Sequence, residues 1–239
     1  MKKRRALLLP LLALLLVVGI PAGLLLREYR YEQASQALIA AIKVNDTEKA
    51  LAALRAGADA NAKDFGKPAS FASQLKYIFD RLLHRDTGVS REVHPTALIV
   101  LLGLHYDDTG GFSTPVENVT ILEALLKRGA DVNVQDVSGT TPLLYACLNQ
   151  FSESARMLVE HKADVNARNH LRTAPLIWGT GNPEIVKNLL LHHAEVNAKD
   201  GFGETALDHA IDRNDNEDIL LLKKAGAKTG QELDAEAKH

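Results

Sequence analysis

One octapeptide recurs along this chain, and the spacing of its copies restricts the fold more than any other feature. GADANAKD ends at Asp64, GADVNVQD at Asp136, KADVNARN at Asn169 and HAEVNAKD at Asp200. The central intervals are 33 and 31 residues, and AGAKTG, with Gly226 and Ala227, is a degraded last copy. Upstream of each copy lies a second signature: Thr141-Pro142-Leu143, Ala174-Pro175-Leu176 and Thr205-Ala206-Leu207. An apolar run of helical period joins the two signatures, as in GNPEIVKNLLLHHAEVNAKD. Self-similarity at such a period describes units that bury their apolar faces only by stacking.

The two signatures in register resemble the ankyrin repeat over about residues 34–228. The resemblance implies an all-α solenoid of about five helix-turn-helix repeats joined by hairpin-like loops. The repeats span about 34–64, 94–136, 137–169, 170–200 and 201–230 within a domain of 34–230. Local chemistry agrees with that pattern. Threonine caps a helix start, proline fits the first turn, and glycine closes a helix in a left-handed conformation. Asp and Asn of the loop are expected to bond their own backbone. Insertions interrupt the pattern at 65–93 and 105–118, and the fourth repeat is two residues short at Gly179-Thr180-Gly181. Residues 231–239 read as a disordered tail.

The first insertion contains FASQLKYIFDRLLHR, residues 71–85. Phe71, Leu75, Ile78, Phe79, Leu82 and Leu83 fall within an arc of roughly 140° on a helix. Such a face packs on the array, grips a partner or lies on a bilayer.

The amino terminus bears on location. MKKRR, residues 1–5, precedes 21 uncharged residues, Ala6 to Leu26. A bilayer core of about 30 Å is crossed by about 20 apolar helical residues. The segment 6–26 therefore reads as a transmembrane signal anchor, with the basic cluster in the cytoplasm. In a Gram-negative cell the repeats would then face the periplasm from the inner membrane. Signal cleavage and release to the periplasm is the alternative, although small residues are poorly placed for it. Residues 27–44 contain neither Gly nor Pro, so the juxtamembrane segment 27–33 is expected to run helically into the first repeat.

Composition narrows the functions. Without the four positive charges of the first five residues the chain carries 24 basic against 30 acidic side chains, which gives no general attraction for nucleic acid. The single cysteine, Cys147, excludes an intrachain disulfide and a multi-cysteine zinc site, and reads as a core residue. Asp64-Phe65-Gly66 and Gly179-Thr180-Gly181 superficially match kinase and phosphate-loop fragments, but the partner motifs are missing. The nine histidines show no local ligand spacing. Asp107 and Asp108, beside His105 in a glycine-rich loop, read as solvated. No catalytic residue, cofactor, metal ligand or small-molecule substrate is expected.

The expected site is a protein-binding surface. In the repeat register Tyr145, Trp178 and His209 occupy one variable position of successive first helices, facing the groove. Val137, Ser138, His170, Leu171 and Phe202 occupy the loop tips on the same face. Large aromatic side chains suit a binding surface, because Trp and Tyr dominate interface hot spots; filling space between stacked helices is the competing role. The resemblance implies a non-enzymatic protein-binding array; with the anchor segment and the decorated groove, the expectation is a membrane-tethered array that restrains an exported protein, such as an antibacterial lipase effector met by its immunity protein. An envelope scaffold or stress-protection factor is the alternative within that class, and an enzyme built on the insertions lies outside it.

Overall fold

The structure is a computed structural model that describes residues 22–64, 95–103, 105–106, 112–113 and 115–238. Among the described residues five pairs of helices succeed one another, each pair one repeat. They are α1 (Ala22–Lys43) with α2 (Thr47–Arg55), and α3 (Ala97–Leu102) with α4 (Val119–Lys127). Next come α5 (Pro142–Leu148) with α6 (Ser152–Glu160), and α7 (Pro175–Trp178) with α8 (Pro183–Leu191). The last pair is α9 (Ala206–Asp212) with α10 (Asn216–Lys224), followed by α11 (Gly230–Glu236). First helices touch in the order α1, α3, α5, α7, α9, and second helices in the order α2, α4, α6, α8, α10. The result is a two-row solenoid, in which each unit is stabilised by its neighbours.

The leucine of each first-helix signature explains the inner row. Leu38, Leu98, Leu143, Leu176 and Leu207 are all buried. Leu122, Leu125, Leu158, Leu189 and Leu222 supply the matching positions of the second row. Cys147 lies in this core as expected, and burial pushes its thiol well above the usual range. Thr141 and Thr205 cap their helices by accepting from the backbone N–H of Leu144 and Asp208. Pro142, Pro175 and Pro183 sit in first turns, where their missing N–H has no partner to lose.

Several features differ from the sequence reading. The expected tail at 231–239 contains α11, whose start is a capping box: Thr229 accepts from the Glu232 N–H, and Glu232 accepts from the Thr229 N–H. Lys199 and Lys228 clamp it through Asp234 and Glu236. Inside the 105–118 insertion a two-stranded antiparallel ribbon pairs β1 (His105–Tyr106) with β2 (Phe112–Ser113). Asn169 bonds its own loop as expected, accepting from the Leu171 and Thr173 N–H groups, but four other loop asparagines bond differently. The loop aspartates do turn on their own backbone, Asp131 accepting from Asn133 N–H and Asp164 from Asn166 N–H. The four asparagines reach the next repeat. Asn133 donates to Lys162 O at 3.2 Å and accepts from Asp164 N–H at 2.8 Å. Asn61, Asn166 and Asn197 do the same to Gly129 and Asp131, His193 and Glu195, and Gly226 and Lys228.

The left-handed helix closure is glycine in Gly57, Gly129 and Gly226, with φ of 99°, 78° and 86°. Repeats three and four place Lys162 (φ 72°) and His193 (φ 64°) in that conformation. A Cβ there is strained, whereas glycine is not. Lys162→Gly and His193→Gly are each expected to raise stability by about 0.5–1 kcal/mol, read as an upward shift in the urea midpoint. Both side chains are exposed and the backbone carbonyls that receive Asn133 and Asn166 remain.

Helix α1 runs unbroken from Ala22. Among the described residues no helix is long and apolar enough to cross a membrane; most of the anchor segment 6–26 lies outside them. The inserted stretch 71–85, with Phe71, Leu75, Ile78, Phe79, Leu82 and Leu83, also lies outside the described residues, as do Asp107 and Asp108.

Candidate functional site

The loop tips are built by one repeated device. An acidic or amide side chain accepts two backbone N–H groups and folds the loop over itself. Asp136 Oδ1 accepts from Ser138 and Thr140, Asn169 Oδ1 from Leu171 and Thr173, and Asp200 Oδ1 from Phe202 and Glu204. With the polar backbone satisfied inward, the next side chains point to solvent. Val137 is 67% exposed, Leu171 59% and Phe202 82%.

These tips form one edge. His170 N–H donates to Ser138 O at 2.8 Å, and Gly201 N–H donates to Leu171 O at 2.8 Å. The His170 ring also packs on Gly139, where an added Cβ would stand 2.9 Å from it. Val137, Ser138, His170, Leu171 and Phe202, all expected at the tips, therefore lie along a single backbone-linked rim. A row of apolar side chains held by fixed turns, with polar groups already satisfied, is suited to desolvation by another protein.

The first-helix positions behave less uniformly. Tyr145 donates its hydroxyl to Asp136 Oδ2 at 2.6 Å. Its ring lies against Gly103 of the preceding repeat, 3.2 Å from where a Cβ would stand. This ring has a structural duty, filling the space between stacked units and bracing the tip of its own repeat. Burial and the Asp136 carboxylate push its phenol well above the usual range. Burial acts to raise Asp136, but bonds from Tyr145, from the Ser138 hydroxyl and from the Thr140 and Ser138 N–H groups outweigh it and hold the carboxyl below its usual range. His209 repeats the brace, with Nε2 3.3 Å from Asp200 Oδ2. Both braces bridge nine residues, a spacing that was present in the sequence and not read. Trp178 is half-buried against the core, and its carbonyl accepts from Gln150 Nε2 at 3.0 Å.

The brace carries a prediction. Tyr145→Phe keeps the ring and removes the charge-assisted bond, so a loss of about 1.5–3 kcal/mol is expected at neutral pH. Because the folded-state pKa of Asp136 is depressed, its contribution is present above the unfolded value near 3.9 and lost as pH falls through the folded one. Wild type and variant should therefore converge in acid, as measured by urea unfolding across that range.

The short fourth repeat is locked by its neighbours. Asp218, fully buried, accepts from the Gly181 N–H at 2.6 Å, and Gln150 donates to Trp178 O and Thr180 O. The Gly179-Thr180-Gly181 stretch is the turn between α7 and α8, as its sequence context implied.

Residues 114–200 match the family model for ankyrin repeats in three copies. Human ankyrin repeat and SOCS box protein 6 is 37% identical over 116 residues, covering 44% of this chain and 28% of that protein. Human neurogenic locus notch homolog protein 1 is 36% identical over 106 residues, covering 43% of this chain and 4% of that protein. The zebrafish notch homolog protein 1 is 38% identical over 106 residues. The chain thus spans under a third of the length of these relatives. The similarity lies in the repeats, and repeats of this kind indicate a protein–protein interaction module.

Proposed function

We propose, on the premise that residues 114–200 carry ankyrin repeats, that this chain is a non-enzymatic, membrane-tethered array that binds and restrains an exported protein partner. The observation that carries the binding reading is the exposed apolar rim, Val137, Leu171 and Phe202, joined tip to tip by backbone bonds. Trp178 and the exposed part of Tyr145 flank that rim along the first helices. The tether reading rests on the uncharged stretch 6–26 behind a basic cluster. The continuity of α1 from Ala22 to Lys43 supports this reading, because it joins the end of the uncharged stretch to the first repeat. An immunity protein that neutralises an antibacterial effector, such as a lipase, is the concrete case this arrangement suits.

Location and partner are tested together. A phosphatase reporter that is active only outside the cytoplasm, fused after His239 of the full chain, is expected to be active. Activity only of a cytoplasm-specific reporter would overturn the tether. A partner recovered with the full chain is expected to be an exported protein whose activity falls on binding; a partner confined to the cytoplasm contradicts restraint of an exported one.

A further inference from the structure

The loop that leads into the last repeat brings three ligand-capable side chains together, a set that the two preceding loops do not repeat. Asp200, Glu204 and His209 each offer one ligand atom, and all three atoms lie within 4.8 Å of one another. The corresponding residues are Asp136, Thr140 and Tyr145 two loops earlier, and Asn169, Thr173 and Trp178 one loop earlier. Hydroxyl, phenol and indole groups at those places supply no such set.

The geometry is preset by the loop. Asp200 Oδ1 is engaged by the Phe202 and Glu204 N–H groups, at 2.8 and 3.0 Å, which leaves Oδ2 aimed at the imidazole. His209 is fixed on α9, with Nε2 3.3 Å from Asp200 Oδ2 and 3.5 Å from Glu204 Oε2. Zinc binds nitrogen and carboxylate oxygen at about 2.0–2.2 Å, so the edges of its tetrahedron measure about 3.3–3.6 Å. Both separations at the imidazole match that edge without rearrangement. The remaining edge, between Asp200 and Glu204, is within 4.8 Å and closes by a small rotation of the Glu204 side chain, which is 47% exposed. Asp200 is 5% exposed and His209 28% exposed, so the site has a fixed floor and an opening to solvent.

We propose that Asp200, Glu204 and His209 form a site for a borderline divalent cation of the zinc class, with water in the fourth position. One imidazole with two carboxylates favours such an ion over calcium or magnesium, which take six or more oxygens or retain most of their water. The bound ion ties the tip that carries Phe202 to helix α9, replacing a long His–Asp contact by coordination.

The test is titration of the full chain with zinc sulfate, followed by calorimetry and by the melting temperature. One saturable zinc per chain is expected, with a rise in melting temperature. Glu204→Gln and His209→Gln are each expected to weaken binding at least about tenfold and to abolish the rise. His192→Asn, at the exposed adjacent histidine pair, should leave both unchanged. The loop bonds of Glu204 are made by its backbone, and Glu204→Gln keeps them, so Glu204→Gln decides alone if His209→Gln fails to fold. Undiminished zinc affinity in Glu204→Gln, or the absence of a one-to-one site in wild type, overturns the proposal.

Discussion

Replacing Leu143 with alanine is expected to remove about 3–4 kcal/mol of stability, the usual cost of a cavity left by a fully buried leucine. Leu143 has no exposed surface, and it belongs to α5, which packs on α3 before it, on α7 after it and on α6 within its own repeat. A void there weakens two inter-repeat interfaces at once. Since a solenoid has few long-range contacts to compensate, the loss should also broaden the unfolding transition as the halves uncouple. Leu148→Ala, on the same helix but 41% exposed, serves as the control and is expected to stay within about 0.5 kcal/mol. Urea unfolding followed by circular dichroism reads both effects.

The second large effect concerns binding. Leu171→Asp with Phe202→Asp places charge on two adjacent tips of the rim. Buried apolar anchors in interfaces contribute about 2 kcal/mol or more each, so the pair is expected to weaken partner binding at least about a hundredfold. Folding should be spared. Both side chains project into solvent, and the tip-to-tip bond from Gly201 N–H to Leu171 O uses only backbone. A drop in affinity with an unchanged urea midpoint is the expected pair of readings. Equal loss of stability and affinity would instead place these residues in the fold.

The repeat architecture was legible because its determinants are local and periodic. The leucine of each first-helix signature and the apolar positions of each second helix carry the core, and both recur at fixed intervals. What was not legible depends on contacts between copies. Asn133 reads as a turn residue beside Asp131, yet its amide serves Lys162 and Asp164 of the next repeat. A short polar side chain has local and distant partners of similar energy, and only stacking selects between them. Tyr145 shows the same ambiguity in a larger residue. An aromatic ring at a variable position fits a binding surface, but its hydroxyl lies within reach of Asp136 once the loop folds over the helix. The helix α11 is a different case. Its start signal, Thr229 followed three residues later by Glu232, stood in the sequence beside a polar composition that argued for a tail. Capping and two lysine clamps, one from each of the last two repeats, decide it.

The central claim is that the loop-tip rim is the face that meets another protein. A photoreactive phenylalanine analogue placed singly at Leu171 and at Phe202 of the full chain, and at the exposed second-row positions Glu123 and Leu220, tests it most directly in cells. The account predicts a discrete crosslinked adduct with one exported protein from the two tip positions and none from the second row. Adducts from Glu123 and Leu220, with none from Leu171 and Phe202, would contradict it.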